Sequence, residues 1–456
     1  MSMATLGKLA AMAVGHVDES SVVIKGVGTD TRASLVGDLF VAIRGPRFDG
    51  HDHLKAAAAS GAAAVMVEGG ADVPEGLPAL RVDDTLAALG RMARGWRKSL
   101  PSLRVVAITG TAGKTTTKDT LAAICKLRVP TVASPRSFNN AIGVPLTILA
   151  ARPRDAVLVA EVGTSSPGEI APLAKMLLPD VAIVTLIGRG HLAGLGSISA
   201  VAAEKYALID SLDKEGLAFI RHGSPQPSGG AAIETFGFEP QADHVVTDRG
   251  GDWMEFEGRR WSLGLPGGHG ALNAIASLLA ARAMGIDDQA IAAGLSSIMP
   301  SPHRMSHRTI GGIDVIDDAW NANPESMSAV LATVPELDLA GRRLVLVLGD
   351  MLELGEGSAE HHRALRPLLE QLCGTVSLAE LVLVGREMAP LADGLAGCLG
   401  KTEILYEPDS DDACMVRIAA RLADGDTVLL KASRSRSGTG DRTPRIRSIG
   451  RLMADE

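Results

Sequence analysis

Aromatic side chains are scarce in this chain: 4 Trp, 2 Tyr and 7 Phe make up 3% of its 456 residues. The cores must therefore be filled by Ala, Val, Leu and Ile. A basic excess is also missing. With a net charge of −8 there is no broad positive field to displace counterions from a polyanion, which excludes general nucleic-acid binding. Anionic substrates would need local basic pockets. Only four cysteines occur, Cys125, Cys373, Cys398 and Cys414, far apart and without a C-x-x-C pair. That spacing offers neither a zinc site nor a disulfide framework, and buried free thiols are expected. No stretch reaches about 18 uninterrupted apolar residues, and the opening MSMATLGKLAAMAVG lacks a long apolar region. A soluble cytoplasmic protein with no membrane partner is expected.

Against these absences stand 46% hydrophobic and 21% charged residues, the balance of a globular chain, and a length that suggests about three domains. The strongest local signal is Val105 to Thr120, VVAITGTAGKTTTKDT. A β-branched run, Val105, Val106 and Ile108, breaks at Gly110 and Gly113, then passes through Lys114, Thr115, Thr116 and Thr117 into a helical pattern. Strand, glycine turn and helix in that order make an anion site. Glycines let the backbone approach a polyphosphate, N–H groups at the helix start point at its oxygens, and the lysine adds a full charge. A threonine hydroxyl beside the lysine can ligate Mg²⁺. Ile108 stands where the longer P-loop spacing has glycine, so this is the shorter G-T-x-G-K-T-T form. Binding of a nucleotide triphosphate is expected.

Residues 1 to about 85 read as short strands with an alanine-rich helix at His53 to Ser60, a small α/β domain. Two polar clusters fall on its loops, Thr29-Asp30-Thr31-Arg32 and Arg47-Phe48-Asp49-Gly50-His51. They are either turn chemistry or a ligand site in which Arg32 and His51 hold a phosphate or a uracil edge. From about 103 to 300, strands Val105 to Ile108, Ala156 to Glu161 and Val181 to Leu186 alternate with helices. That order predicts a mostly parallel sheet covered on both faces, with ligands at the strand carboxyl ends. Glu161 ends one strand and His191 follows another, so both are expected on the P-loop side, where a carboxylate and an imidazole suit magnesium. Residues 221 to 240, rich in Gly and Pro, are expected to form a surface connection. His269 and Asn273 lie four apart at the start of an alanine-rich helix and share a face suited to adenine or ribose. A third α/β region begins near Pro302, with polar turns at Asp317 to Asn323 and Gly349 to Gly355. His361 and His362 are expected on a helix surface. Lys431, ahead of the cationic stretch Ser433 to Ser437, could meet a carboxylate substrate.

Seven segments, TDTR, GDLFVAIRGPRFDGHDH, TGTAGKTTTK, SFNNAIGVPLTIL, GGHGALNA, DDAWNANPESM and GDMLELG, occur in that order between about residues 26 and 436. Together they make the chain resemble the Mur ligases, cytoplasmic enzymes that add amino acids to a UDP-linked peptidoglycan precursor. The likeness is closest to the branch that joins D-alanyl-D-alanine to UDP-N-acetylmuramoyl-tripeptide. The resemblance implies an α/β chain of three domains: 1–90 for the UDP substrate, a central P-loop parallel-sheet ATPase domain at 91–302, and a Rossmann-like domain at 303–456 for the amine. It implies amide formation driven by ATP with Mg²⁺ through an acyl phosphate, in a monomer. It also implies roles. Lys114 would hold the β/γ-phosphates among Gly110, Thr111, Gly113, Thr115 and Thr116. Thr115 or Thr116 would ligate one Mg²⁺ with Glu161, and His191 would serve a second supported by a carbamylated Lys205; Lys114, His191 and Lys205 are thus the catalytic candidates. His269 and Asn273 would flank adenine, with Arg304 and Asp317 or Asp318 at the ribose and phosphates. Asn139 and Asn140 would contact the acceptor peptide, Trp320, Asn321, Asn323 and Lys431 the amine pocket, and Thr31, Arg32 and His51 the UDP.

The chain departs from the family's usual pattern at Leu186 for asparagine, Arg189-Gly190 ahead of the histidine, Tyr206-Ala207 after the lysine, Trp320 for tyrosine and Ala432 for glycine. The changes near Leu186, Trp320 and Ala432 bear on the substrate pocket more than on the phosphate machinery. They leave open a divergent Mur-type ligase joining another amine to a different carboxylate outside the cell-wall pathway. A third reading, nucleotide binding without turnover, has against it the joint presence of Lys114, Thr115, Glu161, His191 and Lys205.

Overall fold

The computed structural model describes residues 2–433 apart from 47, 228, 229, 338, 340 and 396. Arg47 and the cationic Arg434 and Arg436, singled out in the sequence, lie outside the described residues. Three α/β units follow one another, each built on one larger sheet. The first has 5 strands in the spatial order His16–Val17, Ala79–Val82, Ala64–Glu68, Leu39–Val41 and Val27–Gly28. The helix Thr85–Lys98 comes next. Asp84 caps it by accepting the Ala87 N–H at 2.7 Å, and Ala88, Leu89, Met92, Ala93 and Trp96 recur at helical spacing on its buried side. That stripe joins the first core to the central one in a single cluster running from Met3 to Ile220, and the expected boundary at residue 90 falls inside a continuous helix. Trp96, one of the few aromatics, is buried and donates its indole N–H to Ala151 O at 3.0 Å.

The central sheet has 9 strands. Those from Thr131–Ala133 to His244–Arg249 run parallel, and Trp253–Phe256 and Arg259–Ser262 extend the edge antiparallel. The P-loop strand Arg104–Thr109 lies between Val157–Glu161 and Val181–Val184, where the strand order reverses, the position at which open α/β sheets leave a crevice for ligands. Residues 232–237 are not the surface connection that their Gly- and Pro-rich surroundings suggest. They form a strand, Ala232–Gly237, paired with Leu217–Arg221 on one side and His244–Arg249 on the other; its neighbours supply what local composition does not.

The third sheet has 6 strands, ordered Ser306–Ile310, Ile313–Asp317, Asp426–Lys431, Arg343–Gly349, Leu378–Val384 and Glu403–Glu407, parallel except for the first. His362, expected on the surface, is fully buried. Its Nδ1–H donates to Ser358 O at 2.8 Å and its Nε2 accepts the Met351 N–H at 3.1 Å, so the ring pins the Gly349 to Gly355 turn. Cys125 and Cys414 are buried, and burial pushes their thiols up to about 12 and about 11. Cys373 is only partly covered and Cys398 is exposed, against the expectation of buried thiols. A thiol reagent at neutral pH is expected to label Cys398 in the native protein and to reach Cys125 and Cys414 only in denaturant. Early labelling of Cys125 would contradict the packing of the helix Lys114–Lys126. No helix among the described residues is long and apolar enough to cross a membrane.

Candidate active site

One cleft of about 1120 Å³ is lined by the central unit on one side and the C-terminal unit on the other. Its floor is the turn after Arg104–Thr109. Gly110 and Gly113 both have positive φ, 148° and 83°, and a Cβ on Gly113 would lie 2.4 Å from Asn273 Oδ1, so only glycine fits between the loop and the helix Gly267–Ala283. The helix Lys114–Lys126 starts there with no side-chain cap from Gly113, the kind of helix start whose N–H groups suit an anion. Lys114 Nζ donates to Gly110 O at 2.7 Å, folding the side chain back over the loop. Desolvation pulls its pKa below the ordinary lysine value; the Glu161 charge opposes this and Arg304 adds to it. A poorly solvated ammonium beside a second cation is poised for a polyanion.

Glu161, at the end of Val157–Glu161, is 1% exposed. Its Oε2 accepts from Thr115 Oγ1 at 2.6 Å and its Oε1 from Asn139 Nδ2 at 2.8 Å. Of the two candidate threonines, Thr115 is the one in contact with Glu161. No three His, Cys, Asp or Glu side chains among the described residues cluster as a protein-only metal cage. A buried hydroxyl touching a carboxylate instead fits Mg²⁺, which takes one or two protein oxygens and completes its shell with water and phosphate. Asn140 lines the cleft but uses its Oδ1 to cap the helix Gly143–Ala150, accepting from Ile142 and Gly143.

His191 has φ 60° at the start of the short helix Leu192–Leu195. Its Nδ1–H donates to Glu353 Oε2 at 2.5 Å, and Ala193 N–H donates to Glu353 O at 2.9 Å. Glu353 belongs to the GDMLELG turn, so this contact ties the two units together across the cleft. Lys205, on the helix Ile198–Tyr206, does not line the cleft. It is 1% exposed, and its ammonium has no hydrogen-bond or ion-pair partner among the described residues. Desolvation, with the Lys114 charge adding, pulls its pKa well below the lysine range.

The far wall separates two neighbouring candidates. Asp317 turns away from the cleft, accepting from His303 Nδ1 at 2.6 Å and Ala319 N–H at 3.0 Å. Asp318 lines the cleft instead and accepts from Lys431 Nζ at 2.6 Å. Successive side chains at a strand end point to opposite sides, so one of the pair had to face inward. Lys431 also donates to Asn321 O at 2.9 Å; its charge is partnered within the wall. The Arg304 guanidinium lies 5.2 Å from the Trp320 ring. Asn323 caps the helix Pro324–Thr333, and its Nδ2 reaches Thr111 O at 3.5 Å. His269 and Asn273 share the helix face toward the cleft: Thr333 Oγ1 lies 3.2 Å from His269 Nδ1, and Asn273 Oδ1 accepts from Thr117 Oγ1 at 3.3 Å. Desolvation holds His269 below its ordinary value, as a neutral imidazole.

Thr31, Arg32 and His51 are not among the cleft-lining residues. Arg32 is exposed and paired with Asp30 at 2.7 Å, which holds that carboxyl down at about 2. Both His51 ring nitrogens are engaged, Nδ1 with Asp49 at 2.6 Å and Nε2 accepting the Glu68 N–H at 3.0 Å, so the ring fixes its loop. Glu353 and Glu325, both on the cleft, went unassigned in the sequence. Glu353 sits in a motif visible there, but nothing local announces its partner His191.

Comparison with known proteins follows the same division. The Mur ligase middle domain matches residues 108–281, the Mur ligase glutamate ligase domain residues 303–434, and the Mur ligase family catalytic domain residues 23–97. The UDP-N-acetylmuramoyl-tripeptide–D-alanyl-D-alanine ligase of Bacillus subtilis (strain 168) is 33% identical over 426 residues, 90% of this chain and 91% of its own. The crystal structure of MurF from Acinetobacter baumannii aligns with a TM-score of 0.84 at 25% identity, over 99% of each chain. MurF from Thermotoga maritima in complex with ADP aligns with a TM-score of 0.77 at 28% identity, over 94% of this chain and 97% of that one. Matched in all three units, and a third identical to a relative over nine-tenths of its length, the chain belongs to the Mur ligase family and is an ATP-dependent ligase.

Proposed function

We propose that the chain joins D-alanyl-D-alanine to UDP-N-acetylmuramoyl-tripeptide, with ATP converted to ADP and phosphate. The observation that carries this reading is the shared cleft, with a phosphate loop on one wall and the DDAWNANPESM turn on the other. The substrate carboxylate attacks the γ-phosphorus, ADP leaves and an acyl phosphate forms. The amine nitrogen then attacks the carbonyl carbon, and phosphate departs with the former carboxylate oxygen. Such transfers need charge absorbed more than covalent help. Lys114, with the amides from Gly110 to Thr116, would hold the β/γ-phosphates, and Thr115 with Glu161 would hold Mg²⁺, which neutralises phosphate charge when bound. His269, Asn273, Arg304 and Asp318 would hold the nucleoside side. Asn139 and Asn140 would meet the acceptor peptide, and Trp320, Asn321 and Asn323 the dipeptide. The unit at 1–90 would carry the UDP, with Thr31 and Arg32 as candidates, ahead of 91–302 for ATP and 303–456 for the amine. One copy supplies both walls, so a monomer suffices, and the UDP-linked substrate assigns the work to the cytoplasm.

Phosphate release is expected only when Mg-ATP, UDP-N-acetylmuramoyl-tripeptide and D-alanyl-D-alanine are all present. Equal release with unrelated amines would favour the divergent ligase, and none with any amine would overturn the reading. His191 and Lys205 are the candidates for a second metal. A desolvated, unpartnered lysine amine can add to CO₂, releasing one proton and leaving an N-carboxylate in place of a buried cation. Carbon-13 NMR with labelled CO₂ is expected to show a carbamate signal that Lys205→Ala lacks; no signal in the parent enzyme would remove that role.

A further inference from the structure

Three of the six carboxylates lining the cleft are satisfied on both oxygens inside the protein. Glu161, Asp318 and Asp119 each have donors on both oxygens. Glu325 differs. It is the second residue of the helix Pro324–Thr333, and its carboxylate crosses to the central unit, where Oε1 accepts the Arg189 backbone N–H at 2.9 Å and lies 3.4 Å from the Arg189 guanidinium. Its other oxygen, Oε2, is buried with no hydrogen-bond partner, the one carboxylate oxygen in that state among the described residues of the cleft wall. The side chain has little room to turn away, because the Gly188 backbone lies against it: a Cβ there would come 2.5 Å from Glu325 Cδ. The side chain as a whole keeps 19% exposure on the cleft, and an anionic oxygen held there without a donor is unfavourable unless the donor arrives from outside the fold.

The nucleotide phosphates and the acceptor carboxylate are anions and would be repelled. The incoming amine is the substrate with a cationic N–H end. The geometry points to Glu325 as the anchor of the amino group of D-alanyl-D-alanine: Oε2 takes an ammonium N–H, while Arg189 holds Oε1 and so aims the carboxylate. This rests on the functional reading above and adds the residue that recognises the amine's nucleophilic end. Because Glu325 and Arg189 come from opposite walls, the anchor is complete only when the two units are together.

Glu325→Gln keeps the shape and removes the charge. Its KM for D-alanyl-D-alanine is expected to rise about 10- to 100-fold, the loss of a charge-assisted hydrogen bond, with KM for ATP and for Mg²⁺ within about twofold of the parent. Arg189→Ala keeps the backbone donor and should raise the dipeptide KM only about 2- to 5-fold. Binding of N-acetyl-D-alanyl-D-alanine, which lacks the ammonium, reads recognition directly: the parent should bind it at least about tenfold more weakly than the free dipeptide, and Glu325→Gln should bind both alike. An unchanged dipeptide KM, or an equal rise in KM for Mg²⁺, overturns the assignment. Should the variant fail to fold, the parent decides alone, since equal binding of the two dipeptides overturns it as well. A parent enzyme that shows no dipeptide-dependent turnover overturns the functional reading itself, and the anchor with it.

Discussion

Replacing Lys114 by alanine is expected to lower kcat by at least about 10²- to 10³-fold while leaving the fold intact. Two features set that size. The Arg304 charge acts on Lys114, and both cations lie within reach of the Glu161 charge. Removing one cation takes the only lysine of the loop from the charge that builds on the transferring phosphoryl group, and leaves it to backbone amides, one guanidinium and the Mg²⁺ that Thr115 and Glu161 would hold. The fold should tolerate the loss, because Lys114 lines the cleft and its one hydrogen-bond partner among the described residues is a carbonyl, Gly110 O. Phosphate release and thermal melting of the variant together check both halves. Turnover within tenfold of the parent would remove Lys114 from phosphate handling.

The second large effect is on stability. Asp318→Asn is expected to destabilise the protein by about 3–5 kcal/mol, because it leaves a buried ammonium without its counter-charge. The Asp318 and Lys431 side chains are 12% and 4% exposed and 2.6 Å apart, too dry for water to substitute. Asp318 also accepts the Met305 N–H at 3.0 Å, which holds the linker carrying Arg304. An asparagine in either orientation forfeits the charge and turns an N–H₂ toward one of its two donors. The urea midpoint of the variant measures this. Adding Lys431→Met should recover part of the loss, since the pair is then removed whole. A change below about 1 kcal/mol would mean that the pair is not desolvated in the folded protein.

What could be read without coordinates follows the range of the interactions involved. The phosphate loop is local: a strand, two glycines and a helix start define it within a dozen residues. Glu161 was accessible through a topological rule, since strand carboxyl ends share one side of a parallel sheet. Asp317 and Asp318 show where that reasoning stops. Either neighbour satisfies the motif, and only pairing of Ile313–Asp317 with Asp426–Lys431 decides which one meets Lys431. His362 was misjudged for a related reason, since its nitrogens answer to Met351 and Ser358 in the folded chain. The contacts that bring the walls together, His191 to Glu353 and Arg189 to Glu325, bridge 162 and 136 positions and leave no periodic trace.

The central claim is that the cleft makes a carboxyl group reactive by passing phosphate to it. Oxygen-18 in the terminal carboxylate of UDP-N-acetylmuramoyl-tripeptide tests this most directly, with the released phosphate read by mass spectrometry after turnover with Mg-ATP and D-alanyl-D-alanine. The account predicts one labelled oxygen in each phosphate formed from a doubly labelled carboxylate. Unlabelled phosphate alongside amide product would contradict it.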